Sequence, residues 1–444
     1  MGNGLFPWGW LVAAALLPVG AGAGGPVPSP SPQPSIAPPP SPSPTPGPAN
    51  SPSLAPAPVP SPADSAKPGE YTHWPNEDRT ADSGFTGATQ PWSEVRLLIL
   101  LVNFSNVPPD KEPGLAARLD SVVFRGPDSI ASSLKRMSYG KVRLTGEVKG
   151  WYELPRRADG SCASAWLDEA QATAEKHGVN VKSFTHVIVK YPADSVGKTC
   201  DLQATDTSSG SLKRAKVLGS FAILHELLHL LGPGDLTLPH GRGLLCGEVA
   251  LKPRYLANCA VNEYGDPFDS LGHGQWQVVD ERSTGDSSLN APHRIAAGWL
   301  APDRITTVKA SGTYTIKPLD SASGTVALKI KKPDRDPHGE FTKDDSYYVE
   351  FNPIPYAPGK SVPGVTVRIW DGHLTRPPYF LDLTPGSCRP DPRNPQGCSL
   401  PMDAQDGFLE DGKSFADGNG TTVTQVSHGA EGAVVKVQVG SPGD

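Results

Sequence analysis

From Val95 to Phe104 the chain reads Val-Arg-Leu-Leu-Ile-Leu-Leu-Val-Asn-Phe, a nearly unbroken apolar run. Such a run predicts a central strand. Ile130 to Met137 carries helical spacing. Lys141 to Val148 alternates apolar with polar positions and predicts a second strand ending near Trp151-Tyr152. Ala163 to His177 reads as an amphipathic helix, and His186 to Tyr191 as a third strand. A fourth strand, at an edge, is expected near Asp201–Thr205. Lys213-Arg214-Ala215-Lys216 reads as the solvated start of a helix. The apolar run Val217 to Leu224 leads into another helix. From about residue 303 the pattern changes to short β-prone segments between turns: Thr313–Lys317, Val326–Ile330, Tyr347–Phe351, Val365–Trp370, Thr421–Val426 and Ala433–Val439. That spacing predicts a β-sandwich. The fold class expected is α+β: a domain at 94–302 built on a mixed sheet and its helices, then a smaller all-β domain at 303–444.

The first ninety residues follow another logic. Leu11-Val12-Ala13-Ala14-Ala15-Leu16-Leu17 followed by Ala21-Gly22-Ala23 resembles the apolar region and cleavage site of a secretory signal peptide, placed at 1–23. Its n-region carries neither Lys nor Arg. The apolar stretch is too short to span a bilayer, so no transmembrane anchor is expected. Residues 24–68 are dominated by Pro, Ser and Ala, a composition that forms an extended spacer without a core. That spacer is an inert stalk or an attachment to a cell wall. Residues 69–93 are a polar lead-in. A net charge of −6 over 444 residues gives no electrostatic case for nucleic acid. Six cysteines, an even number in a chain expected to be secreted, suggest disulfides. Sequence proximity favours Cys246–Cys259 and Cys388–Cys398, with Cys162–Cys200 left by elimination among fifteen possible connectivities. Asn103-Phe104-Ser105 and Asn419-Gly420-Thr421 are glycosylation sequons, meaningful in a eukaryotic host.

The chemistry concentrates at His225-Glu226-Leu227-Leu228-His229-Leu230-Leu231-Gly232-Pro233-Gly234-Asp235. On a helix, positions i and i+4 share a face, so the imidazoles of His225 and His229 converge. Two nitrogen donors so placed suit Zn²⁺, which a catalytic site holds with three protein ligands and one open position. Glu226 stands beside the first histidine, where a carboxylate can take a proton from water and pass it to a leaving amine. Gly232 is expected at φ > 0, ending the helix and turning the chain back under the metal. Asp235 follows as a candidate carboxylate ligand, with His240 as the alternative third ligand. With only 11 histidines in the chain, H-E-x-x-H arises by chance in about one such sequence in a hundred.

Two further strings complete a family pattern. They are Asn262-Glu263-Tyr264-Gly265-Asp266-Pro267-Phe268-Asp269-Ser270-Leu271-Gly272 and Leu289-Asn290-Ala291-Pro292-His293-Arg294-Ile295-Ala296-Ala297-Gly298-Trp299. With the histidine motif, and with Ser138-Tyr139-Gly140-Lys141 and Gly150-Trp151-Tyr152 upstream, they resemble the gametolysin-like zinc metallopeptidases of the metzincin group, near the immune-inhibitor-A-like secreted peptidases. The resemblance covers about 95–300. It implies zinc on His225, His229 and Asp235, Glu226 as general base, and a tight turn carrying a methionine beneath the ligands. Leu271 holds the methionine's place, a nearly volume-conserving exchange. His273 lies where some metzincins place a tyrosine near the metal.

Three functions are compatible with these residues. The first is a secreted zinc endopeptidase acting on extracellular or cell-wall protein or peptide substrates. The second is a catalytically silent wall or matrix protein on a peptidase fold, which has no need of the carboxylate at Glu226. The third, a closed structural zinc site, lacks a fourth ligand nearby.

Overall fold

The computed structural model describes residues 91–158, 165–192, 204–206, 212–217, 222–234, 236–246, 259–272, 288–332, 345–353, 355–357, 360–361, 364–384 and 404–440. All of them belong to one compact unit, Ala66–Asp444. The expected signal peptide, the Pro-rich spacer and most of the lead-in lie outside the described residues, as do Cys162, Cys200, Cys388, Cys398, Asp235 and His273.

The apolar run forms β1 (Glu94–Phe104), the second strand of a five-stranded sheet. After it come α1 (Leu115–Asp120), α2 (Ile130–Met137), β2 (Arg143–Leu154), α3 (Ala165–Lys176), β3 (His186–Lys190), β4 (Ala204–Asp206) and β5 (Lys213–Val217). The sheet order is β2-β1-β3-β5-β4, parallel but for the antiparallel edge strand β4. The sheet is mixed, as expected. Alternation along β1 sorts its two faces. Leu97, Ile99 and Leu101 pack with α2 and the histidine helix α4 (Ala222–His229). Leu98, Leu100 and Val102 pack with Trp166, Leu167, Ala170 and Ala174 of α3. Ser129 caps α2, its hydroxyl accepting from the Ser132 N–H at 3.2 Å.

The expected helix start at Lys213–Lys216 is instead the strand β5, and its charged residues are buried. The physical reason is its place between β3 and β4. Ala215 and Val217 face the core beside α4, while Arg214 on the other face pairs with Asp168 of α3 at 2.5 Å. A charge-rich strand flanked by β3 and β4 reads as a polar helix start when taken alone.

Beyond α4 lie β6 (Arg242–Cys246), β7 (Cys259–Asn262), α5 (Ala291–Ala296), β8 (Ile305–Val308), β9 (Gly312–Ile316), β10 (Ala327–Lys331) and β11 (Ser346–Phe351). A small hairpin, β12 (Pro355–Ala357) with β13 (Lys360–Ser361), precedes β14 (Val365–Trp370) and β15 (Tyr379–Leu381). The chain closes with β16 (Ser414–Ala416), β17 (Thr422–Gly429) and β18 (Gly432–Gln438). The second large sheet runs β7-β6-β15-β14-β11-β10-β8. It takes strands from both sides of residue 302, because β6 pairs in parallel with β15. The break expected at 302 is therefore crossed by backbone hydrogen bonds. Within β6 and β7, Cys246 and Cys259 are Cα partners in the ladder.

A four-stranded sheet, β16-β17-β18-β9, shares a core with the seven-stranded one. Phe415, Val423, Val435 and Val437 meet Tyr347, Val349, Val367 and Ile369 there. The opposite face of the seven-stranded sheet sends Tyr348 and Trp370 into the core that holds α4. The molecule is thus mixed α+β, with one face of the seven-stranded sheet contributing to the core that holds the histidine helix and the other sharing a core with the four-stranded sheet. Asn103, in the first sequon, is buried in β1 and not displayed. No described helix is long and apolar enough to cross a membrane.

Candidate metal centre

Every residue of α4 is buried, including His225, Glu226 and His229. Leu224, Leu227 and Leu228 dock the helix on the core below. The helix ends where Leu230 and Leu231 make their last bonds back to Glu226 and Leu228, at 3.3 and 3.1 Å. Gly232 follows, but not in the left-handed conformation expected; Gly234 takes that conformation, at φ 59°. Gly232 is needed for a different reason. A Cβ there would stand 2.3 Å from the carbonyl oxygen of Leu236. Its own carbonyl accepts the indole N–H of Trp92 at 3.1 Å, tying the lead-in to the helix end.

Past this turn the chain doubles back on the helix. The Leu238 N–H donates to the carbonyl of His229 at 3.1 Å. The Leu238 carbonyl in turn accepts from His229 Nδ1 at 2.5 Å. Leu238 is thereby clipped to His229, and His240 arrives two residues later beside both helix histidines. The ring centroids are 4.7 Å apart for His229–His240 and 5.5 Å for His225–His240. Among the described residues, His225, His229 and His240 form the one cluster with metal-ligand geometry, their donor atoms lying within 4.8 Å of one another.

Each histidine has its other nitrogen engaged. His225 Nδ1 donates to the Ser270 carbonyl at 2.9 Å, and His240 Nδ1 meets the Glu263 carboxylate at 3.0 Å. These partners fix the tautomers and leave Nε2 bare, the arrangement typical of metal-ligating imidazoles. Burial lowers the pKa of His225 to about 4, against the raising effect of the Ser270 hydrogen bond. His229 is pushed well below its ordinary value, by burial first and then by its neighbours His225 and His240. His240 is lowered too, again mainly by burial. The cluster is therefore a set of neutral donors at neutral pH. The Nε2 atoms of His225 and His229 lie 3.1 Å apart. With both protons committed to backbone carbonyls, two lone pairs face each other across that gap, a repulsive contact that a cation relieves. Two ligand nitrogens around a tetrahedral Zn²⁺ stand about 3.3 Å apart. The donor set fits such an ion.

No family model matches this chain, and no curated protein matches it. Among solved structures, the chain is similar to the catalytically inactive OgpA of Akkermansia muciniphila in complex with an O-glycopeptide, glycodrosocin. That comparison has 12% identity and a TM-score of 0.22, over 59% of this chain and 72% of that one. Wild-type OgpA gives 13% identity and the same TM-score and coverage. Similarity at that level carries no functional inference, and the chemistry of the centre stands on its own geometry.

Glu226 is buried on α4, one position after His225. Leu271 is fully buried in the same core as Leu224, Leu227 and Leu228, and its carbonyl accepts from the Gly241 N–H at 2.9 Å. Asp235 and His273 lie outside the described residues. Sequence reading missed the roles of Glu263 and Tyr264. Glu263 orients His240, and the Tyr264 ring packs 4.3 Å from the His240 ring and 5.8 Å from that of His225. Both sit in the Asn262–Gly272 string, so the string itself was the signal.

Proposed function

We propose that this chain is a secreted zinc-dependent endopeptidase, with His225, His229 and His240 as the protein ligands and Glu226 as the general base. The observation that carries the reading is the 3.1 Å approach of two neutral, tautomer-fixed imidazole nitrogens beside a third imidazole. Three ligands leave a tetrahedral ion one open position, the mark of a catalytic rather than a structural site. A Zn²⁺ ion held there supplies Lewis acidity towards water and the scissile carbonyl.

The remaining steps belong to the protein. Glu226 takes a proton from the attacking water as it adds to the carbonyl carbon. Glu226 then delivers that proton to the amine nitrogen as the C–N bond breaks. Burial of α4 and of the floor at Leu271 holds the ligands rigid through this cycle. The metzincin resemblance and the signal-peptide-like start support a secreted peptidase. Asp235 remains the ligand implied by the resemblance; the clip between Leu238 and His229 supports His240 instead.

The test is metal content together with cleavage of casein by the full chain, with and without a chelator. Stoichiometric zinc and chelator-sensitive cleavage support the proposal. A zinc-loaded chain that never hydrolyses peptides would favour the silent binding protein.

A further inference from the structure

The outer partners of the histidine cluster come from one stretch of chain. Ser270 supplies the carbonyl for His225, Glu263 the carboxylate for His240, and Tyr264 the ring packed on His240. The residue after His240 is zipped to the same stretch. Gly241 donates to the Leu271 carbonyl at 2.9 Å and accepts from the Asp266 N–H at 3.0 Å. Gly243 lies so close to Gly265 that a Cβ on either would meet the other's backbone at 2.7 Å. The position of 262–272 therefore sets the orientation of two of the three rings.

That stretch is held from the seven-stranded sheet. Arg368 of β14 is fully buried, and its Nε and Nη2 donate to the two oxygens of Asp266 at 2.6 and 3.1 Å. Its Nη1 donates to Glu350 of β11 at 2.7 Å and to the Thr366 hydroxyl at 2.8 Å. Asp266 also accepts from the Phe268 N–H at 3.0 Å, and Asp269 from the Leu271 N–H at 2.7 Å. Asp269 further accepts from the Asn290 N–H at 2.7 Å and from His293 Nδ1 at 3.0 Å. The Asp269 carboxyl stays below its usual range. Burial pushes it up, and His293, the Asn290 N–H and Arg368 more than offset that.

Burying such ions costs several kcal/mol each before pairing, and apolar replacements of buried ion pairs are often neutral or stabilising. Stability is a weak reason for this network. Geometry is a better one: a planar guanidinium fork accepts a carboxylate in one orientation, which a lysine ammonium cannot impose.

We propose that Arg368 is a positioning residue of the metal centre. From β14 it fixes Asp266 and the 262–272 stretch, and through Ser270 and Glu263 it sets His225 and His240. The inference rests on the metal-binding reading, and one experiment separates the two. Full-length wild type, Arg368→Lys, Arg368→Gln and the control Asp417→Asn are compared. Asp417 is buried far along the chain, bonded to the Tyr347 hydroxyl at 3.3 Å in the core between the two β-sheets. Zn²⁺ affinity is measured by competition with a chromophoric chelator, Co²⁺ coordination by its visible absorption bands, and stability by thermal unfolding.

Wild type should bind one metal ion. Both Arg368 variants should fold and bind zinc roughly tenfold to a hundredfold more weakly, as outer-sphere substitutions do, with altered Co²⁺ bands. The lysine variant should lie nearer wild type. Asp417→Asn should lose stability but keep affinity and bands. If wild type binds no metal, the metal reading falls and the positioning role with it. If wild type binds and both Arg368 variants match it within twofold with unchanged bands, the positioning role is overturned and the metal reading stands. If both Arg368 variants are unfolded, Arg368 is a general determinant of the fold, and the positioning role is likewise overturned.

Discussion

His229 and Leu238 exchange two hydrogen bonds: the imidazole Nδ1 donates to the Leu238 carbonyl at 2.5 Å, and the Leu238 N–H returns to the His229 carbonyl at 3.1 Å. The first bond fixes the tautomer of a histidine in the candidate metal centre. The second brings the chain back so that His240 completes the donor set.

His240→Ala should therefore weaken zinc binding by at least about tenfold, the low end for losing a group that organises a metal site. Metal titration beside Asp235→Ala decides the third ligand. A large loss in Asp235→Ala with none in His240→Ala would return that role to the aspartate.

Gly232→Ala should destabilise the protein by about 1–3 kcal/mol, the usual range for forcing an extra methyl into a packed site. The obstacle is backbone, the Leu236 carbonyl oxygen at 2.3 Å, and no rotamer change relieves it. Urea unfolding measures the effect; a cost under 0.5 kcal/mol would place the tight turn elsewhere.

Leu271→Met should cost less than about 1.5 kcal/mol and keep zinc, because shape and volume are nearly retained. Leu271→Asp should abolish folding or zinc retention, since the side chain is fully buried among the leucines of α4. Wild-type behaviour of the aspartate variant would remove the floor role.

Stability should fall as the pH drops from about 6.5 to about 4. Burial within β3 lowers the His186 pKa from 6.5 to about 4. The unfolded chain then binds a proton that the folded one refuses, so acid favours unfolding across that window. At 1.36 kcal/mol per unit, this one residue accounts for about 3 kcal/mol. Urea unfolding at pH 7 and pH 4 should show a smaller loss for His186→Gln than for wild type. Equal losses would contradict the assignment.

Much of the α/β layer was legible because its strands and helices are locally patterned. β1 is readable from its continuous apolar run and α2 from its helical spacing, and α2 matches Ile130–Met137 at both ends. The strand β5 was not, because its lysines and arginine are buried by neighbours that the local sequence does not name. The pairing of β6 with β15 joins residues more than a hundred positions apart, and no window of sequence contains it. The helix pair His225 and His229 was readable because a helix fixes their spacing. In the sequence His240 stands only as the alternative ligand, because spacing rules apply along regular elements, whereas a loop clipped by two hydrogen bonds sets its own.

Glu226→Gln tests the proposed mechanism most directly. In the full-length protein this variant should bind zinc with wild-type stoichiometry and unfold at a similar temperature. Its cleavage of casein should fall by at least about a hundredfold, the low end for losing a general base. Near wild-type turnover with zinc bound would contradict the assignment of Glu226 as the base and, with it, the proposed peptidase mechanism.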